Sequence, residues 1–140
     1  MSTPQIWSAD LLGFLGAYRE AFESLDGAAV ARLYAEPSGI VYDRGYTHWA
    51  SRTAVEANMR ALCELYRTDG VRAVDGVPGA CLRLGERAAF VTVNWSLQRD
   101  SGSRSFATAY NLCREDEQWR VRLCTAYEEQ PLNRGENPHD

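Results

Sequence analysis

Apolar residues change their spacing once along this chain, from a helical period before residue 71 to a strand period after it. From Ser8 to Leu25, the residues Leu11, Phe14, Leu15, Tyr18, Phe22 and Leu25 recur at three- and four-residue steps. That spacing lays one apolar stripe along a helix. Ser8 suits its N-cap and Asp10 its positive end, and Asp26-Gly27 breaks it. Asp26 is then placed to cap a short second helix carrying Val30, Leu33 and Tyr34, ended by Pro37 and Gly39. Ile40 to Asp43 reads as a short strand. Arg44-Gly45-Tyr46-Thr47-His48-Trp49 reads as a loop rich in side chains able to hold a ligand. A third helix starts near Ser51 or Thr53, where Thr53 and Glu56 have capping-box spacing. It buries Val55, Met59, Leu62 and Tyr66 and closes at Asp69-Gly70.

After Val71 the period is two. Val71 to Leu84 predicts a strand interrupted at Gly76-Val77-Pro78-Gly79, hence a bulge or an edge. Arg87 to Arg99 predicts a long strand with Val91, Val93, Trp95 and Leu97 on one face and Thr92, Asn94 and Ser96 on the other. Asp100-Ser101-Gly102 is a hairpin turn. Arg104 to Arg114 sets Phe106, Thr108, Tyr110 and Leu112 against Ala107, Ala109, Asn111 and Cys113. After a turn at Glu115-Asp116-Glu117, the core face of the last strand is predicted as Trp119, Val121, Leu123, Thr125 and Tyr127.

Helices first and strands after predict an α+β domain, with three N-terminal helices packed on one face of a strongly curved antiparallel sheet. A twisted, bulged sheet wrapped on helices leaves a cavity at one end. The domain spans residues 8–129, residues 1–7 read as a flexible lead-in, and residues 130–140 read as a polar, disordered tail. No repeat and no second domain is found.

Composition narrows the function classes. A chain of 140 residues with 45% hydrophobic content has the size and the core of one domain. The net charge of -4 argues against a nucleic-acid surface. All fifteen basic side chains are Arg, scattered and often near Asp or Glu, as on an ordinary solvated surface. No run long enough to cross a membrane occurs, and Met1 to Gln5 carries no secretory pattern. Cys63, Cys81, Cys113 and Cys124 form no Cys-x-x-Cys pair and have no His at ligand spacing. They read as reduced, half-buried small residues, which fits a cytoplasmic location, with a disulfide between neighbouring strands the alternative that spacing leaves open. No metal and no cofactor is expected.

The landmarks Ala17-Tyr18-Arg19-Glu20-Ala21-Phe22, Asp26 through Ala35, Ser51-Arg52-Thr53-Ala54-Val55 and Gln118-Trp119-Arg120-Val121 resemble the nuclear-transport-factor-2-like, or SnoaL-like, cone fold. The resemblance covers roughly residues 8–129. It implies a cone with an internal pocket, in a family that includes ketosteroid isomerases, polyketide cyclases, dehydratases, epoxide hydrolases and non-catalytic assembly domains. Fold alone does not choose among these.

Candidate site residues follow from both readings. Asp43 ends the first strand, and in the isomerase branch the general base sits at the corresponding place. An Asp facing an apolar pocket can move a proton next to a carbonyl. The plain alternative is a turn-initiating Asp. Tyr18 lies on the buried stripe of the first helix, similar to the isomerases' oxyanion-stabilising Tyr; alternatively it is a core aromatic bonded within the protein. Tyr110 falls near the place where the resemblance implies a protonated Asp, so the chain departs from the isomerase pattern there. His48, beside Tyr46 and Trp49, suits acid–base work near neutral pH, or is simply exposed. Neither the paired His and Asp of the dehydratases nor the Asp–Arg–Asp set of the epoxide hydrolases can be assembled. Phe22, Tyr34, Trp49, Met59, Trp95, Thr108, Thr125 and Tyr127 complete the expected pocket. The expected ligand is a small apolar molecule bearing a carbonyl or hydroxyl, and the expected partner is a second copy joined through the outer sheet face. The alternative is a non-catalytic interaction domain with a closed cone.

Overall fold

The computed structural model describes residues 6–127; the tail from residue 130 lies outside the described residues. Three helices, α1 (Ala9–Glu23), α2 (Gly27–Ala31) and α3 (Arg52–Thr68), pack on one curved sheet of six strands. The strands are β1 (Tyr34–Tyr42), β2 (Gly45–Trp49), β3 (Ala73–Arg83), β4 (Ala88–Arg99), β5 (Gly102–Glu115) and β6 (Gln118–Tyr127). They lie in the order β2-β1-β6-β5-β4-β3, so the sheet stays open with edges at β2 and β3. The α+β class is as expected, but the sheet is mixed rather than antiparallel. β1 runs parallel to β6, because the chain crosses from α2 back to the far side of the meander.

The stripe of α1 buries Leu11, Phe14, Leu15, Tyr18 and Phe22 as the spacing predicts. Ser8 sits at the N-cap position, yet its hydroxyl bonds Asp10 instead of a backbone N–H. Asp26 does cap α2, accepting from Ala29 N at 3.0 Å. Ser51 caps α3, accepting from Ala54 N at 3.2 Å. The second helix is shorter than expected: Tyr34 already belongs to β1. An apolar Leu33-Tyr34-Ala35 satisfies either period, and tertiary pairing of Tyr34 with Val121 decides for the strand. The expected 44–49 loop is instead β2, which pairs with β1 from Tyr42↔Gly45 to Ser38↔Trp49.

Trp7, expected in a flexible lead-in, is buried and donates from Nε1 to the Gly79 carbonyl at 3.0 Å. That carbonyl sits at the irregularity between Pro78 and Cys81, where β3 slips its register against β4 as the Gly-Pro-Gly stretch predicts. On the inner face, Val91, Val93 and Val121 are fully buried. Each such side chain contributes about 1.5–3 kcal/mol relative to exposure.

A second irregularity controls the site. Leu112 pairs with Val121 while Asn111 pairs with Leu123, so Arg122 is one extra residue in β6. Because side chains alternate, one inserted residue exchanges the two faces beyond it. Trp119 and Val121 point inward as predicted. Past the bulge, Cys124 and Ala126 are the inner residues, and Leu123, Thr125 and Tyr127 turn outward.

Candidate ligand-binding cavity

Three elements converge behind the inner face. α1 supplies Tyr18 and Phe22, α3 supplies Met59, Leu62 and Tyr66, and the sheet supplies the rest. From β1 come Tyr34 and Ile40; from β4, Trp95; from β5, Phe106, Thr108 and Tyr110; from β6, Cys124. Together they enclose a cavity of about 40 Å³. At ~10–15 Å³ for each water position, this holds about three waters or a very small molecule. Asn58 is the exposed lining residue and marks where the cavity meets solvent.

Its polar atoms form one cluster. The Tyr18 and Tyr34 hydroxyls are 2.8 Å apart. The Tyr18 and Tyr110 rings lie 5.2 Å apart, and Tyr18 also packs on Trp95 at 5.7 Å. Trp95 Nε1 donates to the Thr108 hydroxyl at 2.8 Å. Burial pushes the Tyr18, Tyr34 and Tyr110 phenols well above the usual tyrosine range, and the nearby Cys124 thiol adds to each rise. All three therefore remain neutral hydroxyls near pH 7, able to donate a hydrogen bond and unable to act as bases. No carboxylate and no imidazole is among the described lining residues. None of the described lining side chains is a carboxylate or imidazole that could accept a proton near neutrality.

Of the sequence candidates, Tyr18, Phe22, Tyr34, Met59, Trp95, Thr108 and Tyr110 line the cavity. Asp43 does not. The β1–β2 pairing makes Asp43-Arg44 a two-residue turn at the hairpin tip, where Asp43 is exposed. The base assigned to it does not reach the cavity. His48 is exposed on β2, with Nδ1 3.1 Å from the Tyr46 hydroxyl. It sits opposite Gly39, a residue over which the Tyr46 ring folds so closely that a Cβ would meet it at 2.8 Å. Trp49 is buried edge-on against Tyr34, 5.8 Å between centroids, and buttresses the wall without lining it. Thr125 and Tyr127 face outward because of the Arg122 bulge. Phe106, Tyr66 and Leu97 also line the cavity, and their spacing puts them on the same faces as Thr108, Met59 and Trp95. Cys124 carried no such signal, because only the bulge brings it inside. Among the described residues, no group of His, Cys, Asp and Glu is arranged to hold a metal ion. No helix among them is long and apolar enough to cross a membrane.

The family model described as "NTF2-like protein (DUF6841)" matches residues 10–129. The chain belongs to this NTF2-like family. No curated protein matches the chain. Several solved structures share the NTF2-like fold at low identity. An NTF2-like protein of unknown function from Shewanella oneidensis superposes with a TM-score of 0.70 at 16% identity, covering 84% of this chain and 95% of that one. A ketosteroid isomerase-like protein from Erwinia carotovora atroseptica gives 0.62 at 14% identity, covering 84% and 92%. A putative calcium/calmodulin-dependent protein kinase type II association domain from Thiobacillus denitrificans gives 0.69 at 17% identity, covering 90% and 100%. Identities this low establish the NTF2-like fold and leave the activity to the site.

Proposed function

We propose that this NTF2-like protein binds a small, mainly apolar molecule in the cone and holds its carbonyl or hydroxyl oxygen with tyrosine hydroxyls. The observation that carries this reading is the convergence of Tyr18, Tyr34 and Tyr110, all buried, on a cavity whose remaining lining is largely apolar. The lack of a base among the described lining residues favours binding over proton transfer. The small volume favours a compact ligand. Met59, with its flexible thioether, is the side chain best able to move aside for a larger one.

The test is thermal unfolding with acetone, cyclobutanone and cyclopentanone, each beside a hydrocarbon of matched size. A ketone at about 100 times its dissociation constant stabilises by roughly 2.7 kcal/mol. We expect ketones to raise the melting temperature more than the matched hydrocarbons. Tyr110→Phe should reduce that difference and Asp43→Asn should leave it intact. Equal shifts from ketone and hydrocarbon would reject the role of the hydroxyls.

A second reading is an assembly role through the outer face of the sheet. Ala107 and Ala109 are small and buried there, flanked by half-buried Phe90, Leu123 and Tyr127. This surface suits a second copy of the chain. Sedimentation equilibrium showing a monomer at micromolar concentration would exclude it.

A further inference from the structure

A second recess lies outside the cone, where α1, α2, the first turn of α3 and the start of β6 meet. It is open to solvent and measures about 430 Å³. Its floor is low and apolar because Ala17 and Ala21 on α1 and Ala29 on α2 carry only methyl groups. Its rim carries Arg32, Arg52 and Arg120.

Two of the three rim cations are held by hydrogen bonds before any ligand arrives. Arg52 Nε donates to the Tyr34 carbonyl at 3.1 Å. Arg120 donates to the Arg32 carbonyl and, at 3.3 Å, to Gln118 Oε1. Countercharge is scarce. Glu115 is shared among Arg52 at 4.0 Å, Arg120 at 3.5 Å and Arg122 at 3.6 Å. Glu36 is engaged by the Arg52 backbone N–H at 2.6 Å. Arg32 also lines the recess, is exposed, and forms no ion pair among the described residues. In a chain of net charge -4 this is a local inversion of sign.

We propose that the recess is a binding site for a small organic oxyanion. Its carboxylate or phosphate would sit among Arg32, Arg52 and Arg120, and its apolar body would lie on the alanine floor. Guanidinium groups suit this role because their planar N–H pairs match the oxygens of such anions. Two of the three are already fixed by backbone carbonyls, so little side-chain freedom remains to be lost on binding. The site is separate from the tyrosine cavity, which contains no cation among its described lining residues.

The test is calorimetric titration of the full chain at low salt with benzoate, phenyl phosphate, inorganic phosphate and neutral benzamide. Benzoate or phenyl phosphate should bind more tightly than inorganic phosphate, and benzamide should not bind. Whichever aromatic anion is tighter names the head group. Arg32→Ala should weaken its binding at least fivefold, and so should Ala17→Leu, which raises the floor. Both positions are exposed, so both variants should melt like the parent. The proposal is overturned if benzamide binds as well as benzoate. It is also overturned if neither aromatic anion binds, if inorganic phosphate alone does, or if both variants keep the parent affinity.

Discussion

The tyrosine cavity and the arginine recess handle polarity in opposite ways. Among the described lining residues of the cone every polar group is neutral; the Tyr18 and Tyr34 hydroxyls partner each other and the Thr108 hydroxyl accepts from Trp95 Nε1. Outside, the recess is defined by charge, and its guanidinium groups are braced by carbonyl oxygens. A buried charge needs a partner at close range, whereas a buried hydroxyl needs only another hydroxyl. On the two proposed readings, the interior would discriminate by shape and by one hydrogen bond, and the exterior by net charge. The contrast also predicts where pH and salt should act: on the surface groups, with the cavity indifferent until tyrosine ionises.

The strongest challenge to the interior is Trp95→Ala. Trp95 packs on Tyr18 and donates to Thr108, so its loss removes a large buried ring and one anchor of the cluster. A cost of about 3–5 kcal/mol in urea unfolding is expected, from lost transfer energy and the hole left behind. A cost below about 1 kcal/mol would mean that the cone collapses freely and has no fixed cavity. Tyr34→Phe is subtler. It keeps the ring and strips the hydroxyl that pairs with Tyr18. Tyr18 keeps its bond to Tyr110, so the loss is that of one buried hydrogen bond, about 0.5–1.5 kcal/mol. No loss of stability by the same unfolding assay would show that the two hydroxyls do not depend on each other.

The smallest effect should come from outside and should depend on pH. Asp10 accepts hydrogen bonds from Ser8 and from Trp119 Nε1 at 2.9 Å and pairs with Arg114, fastening the start of α1 to the start of β6 and the end of β5. The Ser8 bond leads in holding its carboxyl down, from 3.8 to about 2, with Trp119 next. A carboxyl depressed by folding contributes stability above its unfolded value, and that contribution fades as pH falls through the folded value. Asp10→Asn should therefore be less stable than the parent at pH 6, and the gap should narrow between pH 4 and pH 2. Urea midpoints for the two proteins that run parallel across that window would refute the role of the carboxylate.

How far the sequence reaches is itself uneven across the molecule. The stripe of α1 and the alternation along β4 and β5 were readable, because each is set by neighbours in the chain. Those segments supplied Tyr18, Trp95, Thr108 and Tyr110 to the cavity as expected. The β1–β2 hairpin was not readable. Its long strand contains Pro37 and Gly39, which look like helix terminators, and its pairing with β6 is parallel and remote. Asp43 was misplaced for that reason: a strand end and a hairpin tip carry the same residues. Leu123, Thr125 and Tyr127 alternate correctly, but the inserted Arg122 belongs to the register with β5, which no single strand reveals.

That inserted residue gives the protein an asymmetry of tolerance. Substitutions at Thr125 or Tyr127 alter only the outer surface, while a change of length by one residue between Trp119 and Cys124 would rotate the whole end of β6. A phenol and a hydroxyl would then be driven to the inner face now occupied by Cys124 and Ala126. The interior chemistry of this cone is thus governed by counting residues as much as by choosing them, so descendants of this chain can acquire a different interior through a one-codon insertion or deletion as readily as through point mutation.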